Sequence, residues 1–228
     1  MSQVLPEEIL AASIAGMLKG LDHVAVGASS PVPGTGALLA KALSGDRMRV
    51  SVLGSRKNNF FTDGSTELFD CTGQGRVDAF FLSGAQIDGS ANINLVSVGD
   101  PDQPKARFPG SFGSSYMYFM VPRVILFRLE HTPRTLVETV DYVSAPGTSA
   151  DNVYRPGGPY ALITDRCLFH FQPESGRFRL ESIHPGQTLE DIRANTGFDF
   201  DTPAEVPVTE VPDAETLGLI RGPVAEQI

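Results

Sequence analysis

An α/β fold, a mostly parallel open sheet with flanking helices, is predicted by three observations. Short apolar runs recur along the chain, at His23 to Val26, Met48 to Leu53, Val77 to Leu82 and Arg123 to Glu130. Glycine-bearing turns and helical patterns separate the early runs, the alternation that yields right-handed crossovers between parallel strands. With 228 residues, 41% hydrophobic and 20% charged, the composition is that of an ordinary globular chain able to bury a sizeable core.

The elements follow in order. Residues 6–18 carry apolar side chains at Ile9, Leu10, Ile14, Met17 and Leu18, a helical spacing, and Pro6, Glu7 and Glu8 suit a first turn. Gly20 stops that helix and a strand follows at residues 23–27. The turn 28–36 then opens a second helix predicted over Ala37 to Leu43. Gly64 to Phe69 reads as a helix start. Val140 to Ser144 reads as a short strand. Ala161 to Asp165, Cys167 to Phe171 and Arg177 to Ile183 read as strands, with a turn at Glu174-Ser175-Gly176 closing an antiparallel edge hairpin. Thr188 caps a helix running to Asn195. The proline-bearing segment 201–213 should run extended, and a short helix at Ala214 to Arg221 should end in a frayed tail. The expectation is one domain over residues 1–228, with 200–228 as an extended C-terminal arm that can reach a partner subunit.

Bulk properties exclude several roles. A net charge of −9 and a pI near 4.9 argue against nucleic-acid binding. No apolar stretch approaches the roughly 20 residues of a membrane span, and no signal-peptide pattern is present. Cys71 and Cys167 stand far apart, which fits free thiols in the cytoplasm and offers no metal-site spacing.

Four segments carry groups that could do chemistry. The run from Ser83 to Asn94 follows an apolar strand and is rich in small and amide-bearing residues; Gly84, Ala85, Gln86, Asn92 and Asn94 are its candidate binding groups. Gly34-Thr35-Gly36, between strand and helix, has the form of an anion-holding turn, but lacks the third glycine and acidic residue of a dinucleotide fingerprint. The small-residue turn at Gly110, Ser111, Phe112 and Gly113 can offer backbone N–H groups to an oxyanion. Arg56, Lys57 and Asn58 are either contacts for a substrate carboxylate or phosphate, or a solvated loop. Ser51 and Ser55 are nucleophile candidates that would need a histidine within reach; His131 and His184 read as structural.

Gly84-Ala85-Gln86-Ile87-Asp88 with Asn92-x-Asn94, Val98-Gly99-Asp100, Pro104, Arg107, Gly158 to Asp165 and Ser182 to Gly186 resemble, in order, the signature segments of the family I coenzyme A transferases, on the subunit related to glutaconate CoA-transferase B. The resemblance covers about residues 6–200. It implies a NagB/RpiA-type α/β fold, an α-type CoA-transferase subunit as partner, an acyl-CoA thioester as substrate and no resident cofactor or metal. It also implies that the turn 110–113 closes over the acyl-CoA, with Phe112 where the family usually has glycine. The family's nucleophilic glutamate stands at the end of the strand that here is Met48 to Leu53, and its position falls on Leu53, or on Gly54 if the register slips by one. No catalytic residue is therefore assigned in this chain. Glu67, the nearest downstream glutamate, is the remaining catalytic candidate; in the first turn of a helix its carboxylate would otherwise simply complement the dipole. The function expected is that of a β-type subunit of a heteromeric CoA-transferase-family enzyme. An acyl-CoA or ring-cleaving hydrolase, similar to the steroid-degradation members, and a non-catalytic structural subunit are the alternatives.

Overall fold

The computed structural model describes residues 3–227. The chain gathers into two compact units, one formed by residues up to 81 together with those from 209 onward, the other by residues 82–208.

The first unit opens with helix α1 (Pro6–Met17). Its start is held by the Glu8 carboxylate, which accepts the Leu5 N–H at 2.8 Å. Strand β1 (His23–Val26) is wholly buried and pairs in parallel with β2 (Arg49–Val52). Helix α2 (Pro31–Leu43) begins six residues before the predicted start, because Pro31 at the first helical position has its φ preset for the helix and its missing N–H costs nothing there. The Gly34-Thr35-Gly36 motif is consequently helical. A Cβ on Gly36 would collide with Ile14, 2.6 Å from its Cβ, so this glycine lets α1 and α2 approach closely. Helix α3 (Gly64–Gly73) and strand β3 (Ala79–Leu82) follow, β3 lying parallel to β1.

From residue 209 the chain returns to this unit as a helix at Ala214–Leu219, a wider turn at Ile220–Val224 and a tight one at Ala225–Gln227. The predicted frayed tail is thus helical and anchored. Val224 is fully buried, and Arg221 clasps the buried Glu8 carboxylate at 2.5 and 2.8 Å. That bond holds the Glu8 pKa below the usual carboxylate range.

The second unit begins with two small antiparallel ribbons, β4 (Gln86–Ile87) with β5 (Ile93–Asn94), and β6 (Ser97–Val98) with β7 (Ala106–Arg107). A short helix, α4 (Ser114–Met120), leads into strand β8 (Arg123–Arg128), which lies parallel to β9 (Pro159–Thr164). β9, β10 (Cys167–Gln172) and β11 (Arg177–Ile183) continue antiparallel as predicted. The extended segment after helix α5 (Leu189–Asn195) touches β11 at Arg179–Asp201 and Ile183–Val208. Phe169, Phe178 and Phe198 pack beneath, with ring centroids 5.6–6.2 Å apart. The strand expected at residues 140–144 is instead a series of bends, because its polar groups are spent on neighbours: Ser144 donates twice to the Ile93 carbonyl, and only Ala145 forms a bridge.

Candidate functional site

In the first unit, the chain leaving the carboxyl ends of β1 and β2 encloses a cavity of about 470 Å³ with the start of α2. This is where open α/β sheets put their ligands. Leu53 lines it, with Val52 and Leu38 supplying further apolar wall. Gly54 follows at φ +81°, a left-handed conformation that suits glycine. The Ser55 hydroxyl oxygen then accepts the N–H groups of Lys57 (3.3 Å) and Asn58 (3.1 Å), tightening the turn. Arg56, Lys57 and Asn58 all line the cavity, and none of the described residues lining it is acidic. In a chain of net charge −9 this is a locally cationic pocket. Neither Arg56 nor Lys57 forms an ion pair among the described residues. Gln227 completes the wall, a residue that sequence reasoning missed; a contact spanning 169 positions leaves no local signal.

In the second unit, the amide-rich run folds into the ribbons as an internal lattice. Asn94, fully buried, donates through Nδ2 to Gln86 Oε1 (2.7 Å) and to the Ser97 carbonyl (2.6 Å), and its Oδ1 accepts the Val96 and Ser97 N–H groups. Gln86 donates to Asp141 Oδ2 (3.1 Å) and accepts the Asp141 N–H (3.0 Å). Asp141 in turn caps the Gly99 N–H at 2.7 Å. Asn92 bridges Asp88 and the Gly147 N–H. The Ala85 N–H binds the Asn94 carbonyl, and a Cβ on Gly84 would stand 2.6 Å from the Gln86 carbonyl. The amides of Gln86, Asn92 and Asn94 are therefore engaged within the fold.

The turn from Gly110 to Gly113 lies just beyond β7. Gly110 has φ +101° and open space around it. Phe112 occupies φ +42°, a strained position for a residue with a side chain, and its ring is 85% exposed. Gly113 caps α4 with an ordinary negative φ.

Glu67 sits in the first turn of α3 and bends back to accept the Thr62 N–H (2.6 Å) and hydroxyl (3.0 Å) and the Asp63 N–H (3.4 Å). The Thr62 N–H bond leads in holding its pKa down. Glu67 does not line the cavity. Ser51 does meet a histidine: His23 Nε2 is 2.9 Å from its hydroxyl, with Nδ1 2.8 Å from the Arg76 carbonyl. Ser51 is fully buried, so the pair is sealed from any substrate and ties β2 to β1. His131 is buried between Thr164 (2.9 Å) and Thr196 (2.8 Å), and desolvation lowers its pKa to about 4. Burial likewise pushes the Cys167 thiol far up, away from reactivity. No group of three or more potential metal-ligating side chains is found among the described residues.

The family model for coenzyme A transferase matches residues 4–195. This chain belongs to the coenzyme A transferase family. It is 34% identical over 148 residues to glutaconate CoA-transferase B of Acidaminococcus fermentans, covering 62% of this chain and 54% of that protein. It is 30% identical over 159 residues to the cholesterol ring-cleaving hydrolase IpdB subunit of Rhodococcus jostii, covering 68% and 62%. The chain thus spans little more than half the length of these curated relatives. Its fold matches the crystal structure of Rhodococcus jostii IpdAB with a TM-score of 0.85 over 100% of this chain and 99% of that one, at 24% identity.

Proposed function

We propose that this chain is the β-type subunit of a two-subunit coenzyme A transferase-family enzyme, paired with an α-type chain and acting on acyl-CoA thioesters. The observation that carries the reading is the cavity at the ends of β1 and β2, apolar around Leu53 and cationic at Arg56 and Lys57. An apolar wall suits an acyl chain, and paired cations suit its carboxylate or a coenzyme A phosphate. The Gly54 N–H, without a partner among the described residues, is a donor available to a thioester oxygen. The thioester is a substrate, with no resident cofactor required, and the buried free thiols Cys71 and Cys167 suit a cytoplasmic setting.

Covalent exchange through an enzyme carboxylate needs a carboxylate in the cavity, and none of the described residues lining it carries one. That favours a second reading of the chemistry, in which the partner supplies the reacting group and water is the acyl acceptor. The hydrolase IpdB subunit among the relatives is consistent with it.

The test is to co-purify the chain with its α-type partner and to follow acetyl-CoA by acyl exchange with a free acid and by thiol release. Coenzyme A binding by calorimetry is expected to weaken at least about tenfold in Leu53→Trp, which fills the cavity. Leu53→Glu is expected to gain exchange activity, with a borohydride-sensitive enzyme thioester. Coenzyme A binding that Leu53→Trp leaves intact would remove the cavity from the reading.

A further inference from the structure

Deepening the reading above, and resting on it, we propose that Asn58 is a positioning residue for ligand anions: by holding the 225–227 turn against the cavity, it fixes the Lys57 ammonium there as a cation with no ion-pair partner among the described residues. Two neighbouring contacts make this clamp. Asn58 Nδ2 donates to the Gln227 carbonyl at 3.0 Å, and Lys57 Nζ donates to the Glu226 carbonyl at 2.6 Å. Asn58 is itself nine-tenths buried and fixed by its backbone, accepting the Val52 N–H at 2.8 Å and donating to the Ser55 hydroxyl oxygen. Its amide is therefore a rigid anchor, and Lys57, exposed and flexible by nature, is the side chain that gains an address.

The chemistry of the tether matters. A carboxylate partner would neutralise the ammonium. A carbonyl oxygen orients it and leaves the full positive charge for a ligand. Only one of the three ammonium hydrogens is used on Glu226, so two remain for an anion's oxygens. Arg56 adds a second cation with no ion-pair partner among the described residues. The ligand group is an oxyanion, a carboxylate of the acyl portion or a phosphate of coenzyme A.

Calorimetry on the assembled enzyme separates the two sources with coenzyme A and glutarate as probes, at low and raised salt. Lys57→Met is expected to weaken one of them about tenfold and to flatten its salt dependence. Asn58→Ala keeps the charge but frees it, and is expected to weaken the same probe several-fold. The double variant should bind no worse than Lys57→Met alone, since Asn58 acts through Lys57. A merely structural role for Asn58 would give losses that add. Loss confined to coenzyme A assigns the phosphate, and loss confined to glutarate the carboxylate. If Asn58→Ala does not fold, Asn58→Ser takes its place, and Lys57→Met, at an exposed position, tests the cation alone. Wild-type binding of both probes that Leu53→Trp blocks and Lys57→Met leaves unchanged overturns this proposal alone, as do additive losses. Absence of wild-type binding to either probe overturns the underlying reading as well.

Discussion

The cavity of the first unit and the amide lattice of the second make opposite use of polar side chains. Around Leu53 the charged groups have no counter-charge among the described residues: Arg56 and Lys57 line a cavity none of whose described lining residues is acidic. Around Asn94 the amides of Asn94 and Gln86 are spent, on the ribbons themselves and on Asp141 beside them. Both segments read alike in sequence, as polar, glycine-bearing turns after an apolar strand. What separates them is satisfaction. A buried polar group that has found its partners specifies a backbone shape, and one left over at a cavity is available to a ligand.

The comparison breaks most sharply at Asn94. Asn94→Ala strands the Val96 and Ser97 N–H groups and removes one of the two donors to Gln86 Oε1, and is expected to cost about 3 kcal/mol of stability by denaturant titration. Coenzyme A affinity per folded molecule should be retained. A stable variant that fails to bind would make the lattice part of the site.

Acid should sharpen the contrast further. The second unit contains His131, His170 and His184, and the first has His23; burial lowers all four pKa values. Because the folded forms resist protonation, their contribution to stability is complete above the unfolded value near 6.5 and is lost as pH falls below it. For His131, held at about 4, the loss is on the order of 3 kcal/mol by the time pH reaches that value. Hydrogen exchange at pH 7 and pH 5 should show second-unit amides losing protection first, and His131→Gln should flatten the pH dependence.

The smallest effect is expected at the exposed turn. Phe112→Gly removes a left-handed side-chain residue and should stabilise by about 1 kcal/mol or less, read as a raised melting temperature. A larger loss of coenzyme A affinity than of strain would show that the exposed ring serves the ligand.

The period of the apolar runs carried most of the fold. β1, α1, the start of α3 and the β10–β11 hairpin stand within two residues of their predicted bounds, because each is settled by local burial and turn chemistry. Two elements were misplaced. Gly34 and Gly36 read as a loop, yet Pro31 starts the helix ahead of them, and the closeness of Ile14 explains why Gly36 is a glycine. Residues 140–144 read as a strand, yet their groups are claimed by Ile93 and Gly99, some 40 to 50 positions away. At the candidate site, Leu53, Arg56, Lys57 and Asn58 were legible as a strand end followed by cations. Gln227 was not, since nothing in the segment 225–227 announces the carbonyls that Lys57 and Asn58 seek.

The salt link from Glu8 to Arg221 has a consequence for how this molecule comes into being. The first unit is discontinuous, so its opening eighty or so residues leave the ribosome without the helix that seals them, while residues 82–208 emerge in between. The pocket wall at Gln227 arrives only after that wait. A nascent chain therefore has its amide-lattice segments in hand early but no finished pocket until translation has passed that point.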